Sequence, residues 1–162
     1  MNQQLQSLSR HLFVLVIPII LCVTLTILAC SKSAEVQKEL TDNHRKWESR
    51  NIKDYKYTFR RDCECTQDYR GPFIISVRND AIDEVRFTDS GEVVDKLKYK
   101  RYPTVEGLFR YIQEAIEKKA AKIQVEYDSE LGYPTSAYID YSEQMADEEL
   151  VFKAERLGAD KL

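Results

Sequence analysis

The feature that most constrains this chain is an uninterrupted apolar run near its amino terminus, residues 12–29. The run contains no charged side chain, and the only charged residue before it is Arg10. A positive start, an apolar stretch and a small residue at its end are typical of a secretory signal peptide. The run is also close to the length that spans a bilayer as a permanent helix. It therefore predicts export, followed either by cleavage or by retention as a membrane helix.

The residues that close the run resemble a bacterial lipobox, Ile27-Leu28-Ala29-Cys30. In a lipobox the cysteine sulfur receives a diacylglycerol group, and cleavage then makes that cysteine the new amino terminus. Ala29 and Cys30 match the two most restrictive positions, whereas Ile27 and Leu28 depart from the usual leucine and small residue. Stable anchoring needs more than one acyl chain, which a lipobox cysteine acylated on both its sulfur and its amine supplies. We therefore predict lipidation at Cys30; the alternative is a single N-terminal transmembrane helix.

Lipobox processing would divide the chain into a signal peptide over residues 1–29, a lipidated cysteine and short tether over residues 30–35, and one domain over residues 36–162. The predicted location is the bacterial cell envelope, lipid-anchored to a membrane and facing the periplasm or the exterior. The whole chain has 24 basic and 27 acidic side chains, a net charge of −3. This balance argues against a nucleic-acid partner, which would require a basic patch. The expected partners are the membrane, through Cys30, and an envelope protein or small-molecule ligand.

Hydrophobic periodicity predicts a single small α+β domain. Apolar spacings of three and four residues indicate two helices, over residues 34–50 and 104–118. Alternation of apolar and polar residues indicates six strands, over residues 55–60, 72–78, 82–88, 122–127, 135–141 and 150–156. Residues 92–101 also alternate in part, which leaves a further edge strand open. Asn79 and Asp80 suit a tight hairpin turn because both residues tolerate unusual backbone angles. Short connections predict an antiparallel sheet of about six strands with one or two helices packed on one face.

Three stretches together resemble a family of small bacterial secreted proteins and lipoproteins, a domain family of unknown function. The first contains Cys63-x-Cys65 after a tyrosine-rich strand, the second is Tyr102-Pro-Thr-Val-x-Gly-Leu-Phe109, and the third is Tyr127-Asp-x-x-x-Gly-Tyr-Pro-Thr135. The resemblance covers nearly the whole domain from about Trp47 onward. It implies an envelope location and one small domain, and it assigns no catalytic residue.

Cys63 and Cys65 are the only cysteines that remain once the signal peptide and Cys30 are set aside. An exported protein meets an oxidising compartment, which favours a disulfide. On a regular strand their Cβ atoms would lie about 7 Å apart, against about 4 Å in a disulfide, so a bridge requires a tight turn at Glu64. The alternatives are redox work by the pair and binding of a soft metal, to which the mature chain adds only His44 as an imidazole. We expect neither a metal site nor a cofactor.

Acidic residues near the predicted strand ends form a candidate surface for a ligand or partner. These acids are Asp128, Asp140, Asp147 and Glu148. Tyr133 joins this surface if it faces a ligand; the alternative is that it packs over its own turn. Two carboxylates across a cleft would suit glycoside hydrolysis, but nothing in the sequence places such a pair, and a solvated rim explains the acids equally well. No glycine-rich phosphate loop and no Ser/His/Asp set is recognisable. We therefore expect a non-enzymatic binding module; the alternatives are the thiol chemistry above and a carboxylate-based hydrolase.

Overall fold

The computed structural model describes residues 32–142 and 149–159. The apolar run of residues 12–29 and the predicted lipidation site Cys30 therefore lie outside the described residues. Within the described part of the chain, no helix is long and apolar enough to cross a membrane.

Internal contacts divide the chain into two units, residues 1–36 and residues 37–162. Residues 32–50 are helical, and the portion in the second unit, residues 37–50, is called α1. The later elements follow in chain order as β1 (Tyr55–Asp62), α2 (Gln67–Arg70), β2 (Phe73–Arg78), β3 (Ala81–Phe87), a 3₁₀ helix (Lys96–Arg101), α3 (Val105–Glu117), β4 (Lys122–Tyr127), β5 (Pro134–Asp140) and β6 (Glu149–Ala159).

The six strands form one open antiparallel sheet in the order β3-β2-β1-β6-β5-β4. The prediction of a single α+β domain with a six-stranded antiparallel sheet is confirmed. The hairpin between β2 and β3 turns through Asn79 and Asp80, whose φ values of 47° and 62° are those of a tight turn. The first strand of the chain and the last strand pair with each other in the middle of the sheet.

The alternating pattern of β1 separates a buried face of the sheet from a polar one. Tyr55, Tyr57 and Phe59 are buried, whereas the residues between them are exposed or partly exposed. Leu40 and Trp47 dock α1 on the buried face, and the Trp47 ring meets the Tyr55 ring edge-on at 5.5 Å. Burial of these large side chains supplies most of the driving force for folding.

Residues 92–101 do not form a regular strand. Val93 makes an isolated bridge to Arg86 of β3, and the chain then enters the 3₁₀ helix. The Asp95 side chain caps that helix by accepting a hydrogen bond from the backbone N–H of Leu97 at 2.9 Å. Leu97 is 83 % exposed, so the alternating pattern here has no buried face to cover. Local capping therefore outweighs a weak strand pattern.

Two buried tyrosines of β1 connect the sheet to the start of α3. The Tyr55 hydroxyl accepts a hydrogen bond from the backbone N–H of Val105 at 2.9 Å, and the Tyr57 hydroxyl donates to the Pro103 carbonyl. Burial raises the pKa of Tyr55 to about 12, from an ordinary value of 10.0. The unfolded chain therefore loses this proton at lower pH than the folded chain does, so the stability contributed by Tyr55 is complete below about pH 10 and declines toward pH 12.

We expect Tyr55→Phe to lower the free energy of unfolding at pH 8 by about 1–3 kcal/mol, because the buried Val105 N–H loses its acceptor. The variant should also lose less stability than the wild type between pH 9 and pH 11.5. Urea unfolding at pH 8, pH 9 and pH 11.5 checks both effects. Tyr69→Phe is the control, since Tyr69 is exposed and its replacement should change neither result. Equal losses of stability in wild type and Tyr55→Phe over this pH range would contradict the prediction.

Candidate functional site

The motif from Tyr102 to Phe109 forms the start of α3, and its residues have structural roles there. Thr104 caps the helix, its side-chain oxygen accepting a hydrogen bond from the Gly107 backbone N–H at 3.2 Å. A Cβ atom on Gly107 would lie 3.0 Å from the Cβ of Pro103, so a larger residue would crowd this turn. The residues of this stretch therefore position α3 on the sheet.

The turn between β4 and β5 is built by its own residues and holds α1. The Asp128 Oδ1 atom accepts hydrogen bonds from two following backbone N–H groups, those of Glu130 and Leu131, at 3.0 Å and 2.7 Å. Arg50 of α1 donates to the Glu130 carbonyl at 2.7 Å. Asp128 was predicted to lie on a ligand surface, and in the structure it stabilises this turn.

Tyr133 lies in the hydrophobic core and not on an exposed surface. It is 4 % exposed, and its ring centroid is 6.2 Å from that of Trp47. The preceding Gly132 has a φ of 84°, which turns the chain so that the next side chain points inward beneath α1. The sequence leaves two roles open for Tyr133, packing over the turn or facing a ligand. Its burial shows that it packs over the turn, so Tyr133 does not belong to the candidate ligand surface.

The described acids of the predicted surface do not converge in a cleft. Asp128 lies in the turn that precedes β5, whereas Asp140 is the last residue of β5, so the two acids are at opposite ends of that strand. The Asp140 Oδ1 atom accepts a hydrogen bond from the backbone N–H of Ser142 at 2.9 Å. Asp140 is in register with Glu149 on β6 and with Lys122 on β4, in a row across the sheet. The other two predicted acids lie outside the described residues: Asp147 and Glu148.

Cys63 and Cys65 are joined by a disulfide, with their Cα atoms 5.2 Å apart. The chain bends through residues 63–65 after β1 ends, which supplies the turn at Glu64 that a bridge requires. The bridged sulfurs present no thiolate to a metal. Among the described residues, no group of three or more His, Cys, Asp or Glu side chains is arranged to hold a metal ion.

A groove with a volume of about 550 Å³ lies between α1 and α3. Such a volume falls within the range of small-molecule sites. The residues that line it come from two helices and include both charges, amides and apolar groups: Gln37, Leu40, Thr41, His44, Arg45, Glu48, Glu106, Phe109, Arg110 and Gln113.

Two side-chain contacts span the groove and fix how the helices align. Gln37 Nε2 donates to Gln113 Oε1 at 3.0 Å, and His44 Nε2 donates to Glu106 Oε2 at 2.8 Å. From the first contact to the second, the residue number rises by seven on α1, from 37 to 44, and falls by seven on α3, from 113 to 106. The two helices therefore run antiparallel along the groove. The buried Phe109 lies beneath, with its ring centroid 4.4 Å from that of His44.

The charged side chains of the groove are accessible. Arg45 and Arg110 are 73 % and 67 % exposed, one on each wall. Within residues 32–142 and 149–159, each pairs with one distant carboxylate on its own helix, Asp42 at 3.6 Å for Arg45 and Glu114 at 3.9 Å for Arg110. Exposed pairs at these distances contribute little to stability, so both guanidinium groups are available to a ligand.

Sequence reasoning did not identify the groove. The side chain of His44, which lines the groove, is 34 % exposed. Polar residues at helical spacing on α1 gave a weak signal, but solvated helix faces carry the same pattern. The decisive fact is that α1 packs beside α3, and two separate helix patterns do not contain that information.

A family model for "Family of unknown function (DUF6174)" matches residues 39–159. The chain belongs to this family. Neither the curated proteins nor the solved structures contain a match to the chain. The match begins two residues after Gln37, so the DUF6174 domain contains the rest of the groove as well as the Cys63–Cys65 bridge. The family description assigns no activity, so any function must be argued from these two features.

Proposed function

We propose that the protein is a lipid-anchored binding module of the bacterial cell envelope and that the groove between α1 and α3 is its ligand site. The signal-like apolar run and the lipobox-like residues ending at Cys30 support the location. The groove supports the binding role. The module has no enzymatic activity in this proposal, because the described acids and the lone His44–Glu106 pair form no recognisable catalytic set.

The observation that carries the proposal is the placement of opposite charges on the groove walls. Arg45 and Glu48 come from α1, and Arg110 and Glu106 come from α3. Packing does not require the two guanidinium groups, since both are largely exposed. Exposed charged side chains such as Arg45 and Arg110, placed beside the apolar Phe109, are typical of a ligand-binding surface.

The chemistry of the lining favours a short polar peptide that carries charges of both signs. Arginine guanidinium groups bind carboxylates through paired hydrogen bonds, and the glutamates complement ammonium groups. Gln37 and Gln113 are hydrogen-bonded to each other across the groove, and each side-chain amide has further donor or acceptor positions that match peptide amides. Phe109 supplies an apolar part of the groove lining.

The test is titration of the full-length protein in detergent with a panel of tetrapeptides that each contain one glutamate and one lysine. We expect at least one peptide to bind, and we expect Arg110→Ala to weaken that binding about tenfold, the loss of one charge-assisted contact. Calorimetry or amide chemical shifts of the α1 and α3 residues measure the effect.

Lys38→Ala is the matched control, because Lys38 is an exposed cation on α1 that does not line the groove and pairs with Asp42 at 2.8 Å. It should leave peptide binding unchanged. Equal affinities in wild type, Arg110→Ala and Lys38→Ala would place the site elsewhere, and a panel in which no peptide binds would exclude this ligand class.

A further inference from the structure

The Cys63–Cys65 bridge does not join two elements of the fold. It connects residues two positions apart in the loop between β1 and α2. A disulfide stabilises a protein mainly by restricting the unfolded chain, and the effect is smallest for the shortest loops. A bridge that closes three residues is therefore a poor structural staple.

Other contacts hold this loop in place without the bridge. Arg70 of α2 donates from Nε to the Cys63 carbonyl and from Nη2 to the Cys65 carbonyl, both at 3.1 Å. The Asp68 carbonyl accepts from the Tyr102 hydroxyl at 3.1 Å, and the Asp68 carboxylate pairs with Lys98 at 3.1 Å. Breaking the bridge therefore leaves the loop attached to the domain.

The surroundings of the bridge suit reaction with a thiol. Both cysteines are partly exposed, and Glu64 between them is exposed. Among the described residues, no carboxylate lies within ion-pair distance of Arg70, whose guanidinium group contacts the carbonyls of both cysteines. The carboxylates of Asp62 and Glu64, next to the cysteines in sequence, act in the opposite direction on a thiolate. A guanidinium beside a cysteine favours the thiolate, which is both the leaving group and the nucleophile of disulfide exchange.

We propose that the Cys63–Cys65 bridge is an exchange-active disulfide that oxidises the dithiol of another exported protein. A thiolate of the partner attacks one sulfur of the bridge, the Cys63–Cys65 bond breaks, and the other cysteine leaves as a thiolate that takes up a proton. The second partner thiol, after losing its proton, attacks the partner's own sulfur in the mixed disulfide, the bond between the two proteins breaks, and the released cysteine leaves as a thiolate that also takes up a proton. The partner then holds a disulfide, and Cys63 and Cys65 hold two thiols, so two electrons and two protons have moved. Arg70 is a positioning residue for the leaving thiolate.

The experiment equilibrates the protein extracted from its membrane in detergent with dithiothreitol or with glutathione redox buffers, traps free thiols by alkylation and locates the alkylated cysteines by peptide mass, so that Cys63 and Cys65 are read separately from any other thiol. We expect reversible reduction of the bridge while circular dichroism shows an intact fold with a nearly unchanged melting temperature. Arg70→Gln should make reduction about fivefold less favourable, and alkylation of the reduced pair should move to higher pH.

Two further variants separate the role of charge from a general loss of structure. Arg78→Gln removes the same charge at the far end of β2 and should behave as wild type. Arg70→Lys keeps the charge beside the loop and should recover most of the wild-type equilibrium. The proposal fails if glutathione does not reduce the bridge in the folded protein, if reduction unfolds the domain, or if Arg70→Gln matches Arg78→Gln. Since peptide binding in the groove does not enter this experiment, its outcome is independent of the proposed binding function.

Discussion

Replacing Cys30 with alanine is expected to abolish both lipidation and processing of the protein. The acyl chains are attached through the cysteine sulfur, and in a lipobox the cleavage follows this attachment. The wild-type protein extracted from its membrane should therefore begin at Cys30 and carry added acyl mass, whereas Cys30→Ala should retain the residues from Met1 onward without that mass. Intact mass spectrometry of the membrane-extracted protein measures both changes at once.

Cys22 provides a matched control, because it lies inside the same apolar run and would leave with the proposed signal peptide. Cys22→Ala should give the same mature mass as the wild type. An unmodified full-length wild-type chain would instead show that the apolar run stays in the membrane as a helix. That result would replace the lipid anchor with a protein anchor and would leave the proposed ligand groove unaffected.

Gly132→Ala is expected to lower the free energy of unfolding by about 2–4 kcal/mol. The residue has a φ of 84°, a conformation that costs an alanine about 1–2 kcal/mol. The added Cβ would also lie 2.6 Å from the Asn43 carbonyl oxygen and 3.0 Å from the Lys46 Cβ, both on α1. The helix would have to move away from the turn, and its buried contacts through Trp47 would loosen. Urea unfolding followed by circular dichroism measures the loss.

Gly91→Ala separates the two causes. Gly91 also has a positive φ, 69°, but a Cβ there would meet no atom within 4 Å. Its replacement should therefore cost only the backbone term, about 1–2 kcal/mol. The difference between the two losses in the free energy of unfolding measures how tightly α1 packs against the turn. Equal losses would mean that α1 adapts to the extra atom without loss of packing.

The sheet could be predicted from the sequence because its signals are local. The alternation of Tyr55, Tyr57 and Phe59 with polar residues identifies β1 without reference to any other part of the chain. Thr104 similarly marks the start of α3 by its capping chemistry. Residues 92–101 were ambiguous because their local signals conflict. Their alternating pattern is weak, and the Asp95 cap favours a 3₁₀ helix.

The candidate site could not be predicted in the same way. The groove depends on the contacts of Gln37 with Gln113 and of His44 with Glu106, which lie 76 and 62 residues apart. Tyr133 shows the opposite difficulty, since a tyrosine beside a glycine turn suits either an exposed rim or a buried anchor. Only the position of α1 above that turn decides between them.

The central pairing of β1 with β6 has a consequence for the timing of folding. The contact joins residues as far apart as Tyr55 and Ala159, so the middle of the sheet closes only after the last strand is present. Such non-local pairing forms slowly, because the entropy cost of closing a long loop comes before the favourable contacts between the strands are made. A chain that is synthesised amino terminus first therefore cannot complete its sheet until residues 149–159 have been made. The pairing that joins the two halves of the finished sheet thus also delays its completion to the end of synthesis.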